Sequence, residues 1–390
     1  MEYRTFGRTG LQIPIFSAGS MQCMQSWKDL PFAEIEEDGQ RNLVRILGRA
    51  IDHGITHIET ARLYGTAERQ LGVALKQFDR RRLIIQTKIP PQEDPQLFEQ
   101  YFLESLQRLQ LDRVELLALH GLNNYHDLWL ACRPGGCLSV ARALQRRGLA
   151  GWIGFSGHGP TDVLLAAVGH ENDGGFDYIN LHWYTIFQRH TPVLAAAQAA
   201  NMGVFIISPT DKGGMLQAPP PELVELCHPL SPMQFNDLFC LHRPEIHTLS
   251  IGAARPTDYE DHLAALSHRN DAAYITTTYQ HWQDRMEACT GFRQPDAVFD
   301  LFPPWYQTPG YSNIPFVLWL DNLARGWGLT AYAKKRYKKL GAGTAWVAGN
   351  HGGSARVEQL EKIAEQAGWS AKELVNRLHS AHQRLKPGQE

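Results

Sequence analysis

Glu59, Tyr64, Lys88 and His120 are residues of the types that hold, give or steer a proton, and each lies at or just after the end of an apolar run. A phenol, with an unperturbed pKa of about 10, is a poor acid at neutral pH, but a nearby ammonium stabilises the phenolate and eases loss of the proton. Lys88 supplies that charge. Glu59 can pair with Lys88 and hold it, while His120 can donate or relay a hydrogen bond to a carbonyl oxygen as negative charge grows on it. Taken singly, each has a bland reading: a Glu and a Lys on neighbouring strands are commonly a plain ion pair, and a His after Leu-Ala-Leu is commonly structural. Only a fold that gathers all four favours chemistry.

The elements between them alternate. Extended apolar segments are read at 13–18, 55–60, 82–89, 114–120, 151–156, 178–183, 203–208 and 248–252, with helical patterns between them. Leu43, Ile46, Leu47, Ala50 and Ile51 recur at helical spacing until Gly54 stops them, and Pro95 opens a helix whose apolar face carries Leu97, Phe98, Tyr101, Phe102, Leu106 and Leu109. Continuous apolar strands joined by amphipathic helices indicate parallel pairing through right-handed crossovers. Eight such units in about 265 residues point to an α/β fold, a closed (β/α)8 TIM barrel. An open doubly wound sheet would be expected to carry GxGxxG after its first strand, and that motif is absent. Around Gly7-Arg8-Thr9-Gly10 the chain reads as a hairpin ahead of the barrel.

The barrel is assigned to residues 1–266. Residues 267–390 form a helical, Trp- and Pro-rich C-terminal appendage: Trp282, Trp305, Trp319, Trp327, Trp346 and Trp369 fall there, and Ser370 with Glu373 makes a capping box for a last helix through Leu385. The basic run at 334–339 reads as a solvated helix face, ahead of a nucleic-acid surface.

Composition sets the partner class. With 38 Lys plus Arg against 40 Asp plus Glu, the net charge of −2 gives no broad attraction to nucleic acid or an anionic membrane, so small molecules are the expected partners. No apolar stretch is long enough to span a bilayer and the start lacks the pattern of a signal peptide, so a cytoplasmic protein is expected. Cys23, Cys132, Cys137, Cys227, Cys240 and Cys289 are too scattered for a disulfide framework, and no second thiol or His pair joins Cys132 and Cys137 in a metal site. No metal is expected, and oligomeric state is left open.

Several stretches carry a family resemblance. Gly-Ile-Thr-His-Ile-Glu-Thr-Ala-Arg-Leu-Tyr-Gly-Thr-Ala-Glu at 54–68, Gln-Thr-Lys in the third strand, Leu-Ala-Leu-His in the fourth, Ile-Gly-Phe-Ser at 153–156 and Ile-Ser-Pro at 207–209 resemble the aldo-keto reductases. The resemblance implies Tyr64 as general acid, Lys88 as the group that lowers its pKa, and His120 as the residue that orients a carbonyl. Glu59 stands where that family usually has Asp.

The resemblance also implies NAD(P)H bound across the barrel mouth without a Rossmann turn. Ser20 and Met21 fall in its binding set, Ser156 and Asn180 hold the nicotinamide carboxamide, and Gly157 takes a position that is often Asn. Ile207 packs on the nicotinamide where many members stack a Tyr. The loop from Ser208 through Gly214 and Leu216 covers the pyrophosphate. Arg255 would meet a 2′-phosphate, with Asp261 and His262 near adenine; Asp258 stands where NADPH-preferring members often have a cation, so NADPH is expected with NADH as the alternative. The appendage resembles one that carries iron-sulfur motifs in a subgroup of the family. Here only Cys289 remains of them, so no iron-sulfur cluster is expected and the appendage reads as a structural cap, with a redox role for Cys289 as the lesser reading.

Two functions follow. The leading one is an NAD(P)H-dependent oxidoreductase reducing the carbonyl of an aldehyde, ketone or quinone. The other is a catalytically weak nucleotide-binding regulatory or sensor protein, suggested by Glu59, the missing Asn and the lost cluster cysteines, and opposed by the intact Tyr64, Lys88 and His120.

Overall fold

The computed structural model describes residues 1–342 and 347–387, so Trp346 lies outside the described residues. Strands β1 (Tyr3–Thr5) and β2 (Gln12–Pro14) pair antiparallel as the expected hairpin. Eight further strands close a barrel in the order β10-β3-β4-β5-β6-β7-β8-β9: β3 (Phe16–Gly19), β4 (His57–Glu59), β5 (Ile84–Ile89), β6 (Val114–His120), β7 (Ala150–Gly157), β8 (Tyr178–Leu181), β9 (Gly203–Ile206) and β10 (Thr248–Ile251). Every barrel pairing is parallel. This is the (β/α)8 TIM barrel that the alternation implies.

Helices α1 (Glu37–Asp52), α2 (Ala67–Ala74), α3 (Pro95–Leu109), α4 (Tyr125–Cys132), α5 (Cys137–Arg146), α6 (Thr161–Val168) and α7 (Thr191–Ala199) supply crossovers. Their limits follow local chemistry. Asp94 accepts a hydrogen bond from Gln96 N and Pro95 takes the first turn of α3, where a missing N–H costs nothing. Beneath the strands, Phe6 and Ile13 of the hairpin pack with Leu116, Ala118, Tyr178 and Phe205, all fully buried. Each large apolar side chain buried there contributes about 1.5–3 kcal/mol.

The chain divides into two compact units. Unit 1 comprises Met1–Trp183, His190–Thr210 and Asp237–Ser267, and holds the whole barrel. Unit 2 comprises Tyr184–Arg189, Asp211–Asn236 and His268–Glu390. Two stretches that the sequence reading placed within residues 1–266 thus join the C-terminal part, through contacts between residues far apart in the chain. Helices α8 (Pro221–Cys227) and α9 (Pro232–Leu241) are followed by α10 (Asp258–Ala264) in unit 1 and by α11 (Ala272–Thr290), α12 (Ile314–Trp327), α13 (Thr330–Tyr337), α14 (Val357–Gln366) and α15 (Ala371–Leu385) in unit 2.

Indoles order unit 2. Trp282 and Trp327 meet edge to face at 4.9 Å, and Trp327 Nε1 donates to Trp282 O at 2.8 Å. Trp319 Nε1 donates to Ile186 O at 2.9 Å, so this apolar centre leaves neither of those two donors unmet. Ser370 caps α15 through Glu373 N at 3.2 Å. The basic run is only partly a solvated face: Arg336 is buried and pairs with Asp211, whereas Lys334, Lys338 and Lys339 are exposed.

Candidate active site

The register of the strands gathers the candidates. Glu59 ends β4, Lys88 lies near the end of β5, and His120 ends β6, opposite Ser156 on β7, which in turn faces Asn180 on β8. His120, Ser156 and Asn180 therefore form one row across three strands at the carboxyl end, where barrels of this kind place their chemistry. Tyr64 sits on the turn between β4 and α2. Gly65, with φ +46°, makes that turn: a Cβ there would lie 1.9 Å from Ser26 O, so a residue with a side chain would displace the loop against Tyr64.

Lys88 is fully buried, with its ammonium turned into the site. It is ion-paired with Glu59 Oε1, donates to Thr60 O at 2.8 Å and donates to Tyr64 OH at 3.3 Å. Tyr64 OH lies 3.4 Å from Glu59 Oε1. The Tyr64 and His120 rings meet edge to face, 5.9 Å between centroids. The Glu in place of Asp reaches Lys88. Its side chain is 5% exposed, so the pair is shielded from solvent on both sides.

The effect on the phenol differs from the sequence reading, which expected Lys88 to make Tyr64 more acidic. Burial is the dominant influence and pushes the Tyr64 phenol above its ordinary value. The physical reason is desolvation: burial takes the phenol out of water, which disfavours the charged phenolate. Tyr64 is firmly protonated at neutral pH, as a proton donor must be before it acts.

The residues expected to hold a cofactor divide into several groups. Asn180 is fully buried, and neither its amide oxygen nor its amide nitrogen meets a partner among the described residues; the Ser20 hydroxyl is likewise buried and unmet. Each such atom costs about 1–3 kcal/mol, a cost that a ligand with matching donors and acceptors would remove. Ser156 Oγ accepts from Gly121 N at 3.0 Å, which leaves its proton available to donate. A primary carboxamide needs donors and acceptors of this sort, so the row fits the amide end of a nicotinamide. Met21 is half-buried in the turn after Ser20. Ile207 and Ser208 follow β9, Ser208 with φ +55°, an unusual conformation for a residue with a side chain. Gly214 and Leu216 belong to unit 2, where Leu216 is buried and a Cβ on Gly214 would meet it at 3.1 Å.

At the start of α10 the geometry is specific. Arg255 is 77% exposed at its side chain and paired with Asp258 at 2.8 Å, while Asp258 also accepts from the N–H groups of Ala254 and Arg255, both at 2.9 Å. Asp261 is exposed. His262 is not at the surface: it is buried, with Nδ1 against Asp237 Oδ2 at 2.5 Å and its ring 6.0 Å from Phe16.

Gly157 also has a steric cause. A Cβ there would lie 2.5 Å from Leu164 Cδ2 and 2.9 Å from Leu122 O, so this backbone has no room for Asn. One contributor to the site escaped the sequence reading. Thr60 acts through its carbonyl, which leaves no trace in residue type. His158 and His182, two residues beyond Ser156 and Asn180, stack on each other at 5.0 Å. All six cysteines are free thiols, and among the described residues no group of three or more His, Cys, Asp or Glu is placed to hold a metal. No described helix is long and apolar enough to cross a membrane.

A parallel eight-stranded barrel with a Tyr, Lys, Glu and His gathered at the carboxyl ends of its strands defines a class, and comparison with known proteins agrees. Residues 17–221 match the model of the Aldo/keto reductase family, and the chain belongs to that family as an oxidoreductase of aldo-keto reductase type. It is 26% identical over 243 residues to the uncharacterized oxidoreductase YrpG of Bacillus subtilis (strain 168), covering 55% of this chain and 68% of that protein. It is 27% identical over 243 residues to L-galactose dehydrogenase of Arabidopsis thaliana, covering 60% of this chain and 71% of that one. The fold is also that of the holo aldo-keto reductase AKR11C1 from Bacillus halodurans, with TM-score 0.58, 18% identity, and 71% of this chain and 96% of that chain covered. A thermostable aldo-keto reductase, Tm1743, solved with the inhibitor epalrestat, gives TM-score 0.58 at 23% identity over 71% of this chain and 98% of its own.

Proposed function

We propose that this protein reduces the carbonyl of an aldehyde, ketone or quinone at the expense of NAD(P)H, with Tyr64 as general acid. The observation that carries the reading is the Lys88 ammonium 3.3 Å from Tyr64 OH while paired with Glu59. A reduced nicotinamide, when bound, supplies hydride to the carbonyl carbon. Tyr64 gives its proton to the carbonyl oxygen, so the C=O double bond becomes a CH–OH group. Lys88 stabilises the phenolate left behind, Glu59 keeps Lys88 in place, and His120 donates to the same oxygen as charge develops there. Asn180 and Ser156 orient the carboxamide, Ser20 and Met21 after β3 complete the binding set, and Ile207 packs on the ring.

The preference for NADPH over NADH rests on the exposed Arg255; Asp261 serves the adenosine end, and His262 supports α10 from beneath through Asp237. One relative is named as a dehydrogenase of L-galactose and another as an oxidoreductase, which supports hydride chemistry at a C–O centre. A reducing cytoplasm suits the six free thiols.

Oxidation of NADPH followed at its absorbance band, over a panel of aldehydes, ketones and quinones, tests the reading. Turnover is expected, with Tyr64→Phe removing it while cofactor binding persists. The upward push on Tyr64 favours one other reading, a regulatory nucleotide-binding protein with weak catalysis, since an acid held above its ordinary range gives its proton up reluctantly. Cofactor binding without Tyr64-dependent turnover would establish that second reading.

A further inference from the structure

Within unit 2, helices α12 and α15 meet at a carboxylate surrounded by too many cations. Asp321 is fully buried on α12, and three guanidiniums reach it: Arg377 Nε at 2.9 Å, Arg384 through Nη1, and Arg325 Nη1 at 3.8 Å. Arg377 and Arg384 stand seven residues apart, two turns along one face of α15. A single arginine neutralises one carboxylate and stitches two helices. The second and third carry charge that the stitch does not need, and partly buried like charges repel. Burial pushes the Arg377 guanidinium below its ordinary value, and neighbouring Arg325 and Arg384 add to that against the raising effect of Asp321.

These groups open on a cleft of about 570 Å³, inside the range of about 300–1,000 Å³ that small-ligand sites occupy. Lys372 and Glu373 also line it, so four cations face two carboxylates and a surplus of two positive charges remains. Donors are left over as well. Asp321 and Asn322 take Arg377 Nε and Nη2 and Arg384 Nη1, while Arg377 Nη1, Arg384 Nε and Nη2 and the Lys372 ammonium meet no acceptor among the described residues. The first turn of α15 faces the same space beside Trp369 and Ser370, adding the positive end of a fifteen-residue helix.

We infer that this cleft binds the phosphate group of a small molecule, separately from the barrel site. A dianion matches the surplus of two charges, whereas a lone carboxylate matches half of it, and guanidinium forks suit phosphate oxygens. The volume leaves room for an organic portion against Trp369.

Isothermal titration of the full chain with inorganic phosphate and, in parallel, with glycerol 3-phosphate tests the inference. Saturable binding that weakens as ionic strength rises is expected. Arg384→Gln keeps an amide near Asp321 and is expected to weaken binding about tenfold; the Lys372→Gln, Arg384→Gln double variant is expected to abolish it. Lys372 is exposed and pairs with nothing described, so Lys372→Gln alone is expected to weaken binding measurably in a protein that melts like the parent. Equal affinity for both probes would assign recognition to the phosphate itself, and tighter binding of glycerol 3-phosphate would add the organic portion. No heat at millimolar concentrations of either probe, or titrations unchanged in the double variant, would overturn the inference.

Discussion

Gly19 and Glu59 face each other in register across β3 and β4, and the second carboxylate oxygen of Glu59 rests over the bare face of Gly19: a Cβ at position 19 would lie 3.4 Å from Glu59 Oε2 and 2.6 Å from Ser250 Oγ. The extra methylene of Glu is thus accommodated by a missing side chain on the next strand. Glu59→Gln should leave the Lys88 ammonium buried without its counter-charge. A loss of about 3–5 kcal/mol in unfolding free energy is expected by urea denaturation, together with loss of carbonyl reduction. Glu59→Asp keeps the charge and should retain both measurably, so equal damage from the two variants would refute a charge-based role.

Asn180 combines two unmet amide atoms with full burial. Asn180→Leu removes them at similar volume, so the free protein should become more stable by about 1–2 kcal/mol while NADPH affinity falls about tenfold or more. Thermal melting and fluorescence titration read the two effects separately. A variant that loses stability and keeps its affinity would make Asn180 structural.

Restoring the commoner residue of the family at position 157 should fail here. Gly157→Asn pushes a Cβ into Leu164 and the Leu122 carbonyl, and overpacking of that kind costs about 1–3 kcal/mol. Urea melts should report that loss, with no gain in cofactor affinity; a tighter-binding, equally stable variant would show that the loop yields.

His57 sets a pH dependence beneath the site. Its Nδ1 lies 2.6 Å from Ser17 Oγ, which in turn lies 2.6 Å from Thr248 Oγ1, and burial, assisted by Lys88, takes its pKa from 6.5 down to about 3. The unfolded chain binds the proton more readily, so the stability His57 contributes is complete above about pH 6.5 and is lost as pH falls toward 3, amounting to about 4–5 kcal/mol. His247, lowered to about 4, acts in the same direction. Asp296 opposes both: burial raises it to about 6, so its penalty is relieved by acid. The difference between parent and His57→Gln isolates the first effect. Stability curves that converge as pH falls from 6.5 to 3 are expected, and parallel curves would refute it.

The periodicity of 2 or 3.6 residues is a local property, and local chemistry was therefore readable. The alternation of strands and helices, the extent of β6, Pro95 at the start of α3 and the Ser370 cap all come from residues a few positions apart, and a barrel of eight such units places strand ends at one rim. Glu59, Tyr64, Lys88 and His120 were legible because each sits at such an end. Strand limits were less so: 55–60 shrinks to His57–Glu59, since a ladder extends only where both neighbours are in register.

What the tertiary structure alone decided is which distant groups share a buried space. Burial raises the Tyr64 phenol by desolvation, Glu59 pairs with Lys88 across two strands, Asp237 meets His262 in the interior, Arg336 is buried against Asp211, and Leu164 and Leu122 exclude Asn from position 157. The second unit recruits 184–189 and 211–236 in the same way. Residue types carry the capacity for charge and hydrogen bonding, but desolvation and pairing depend on separations across the closed fold, and sequence distance does not encode those.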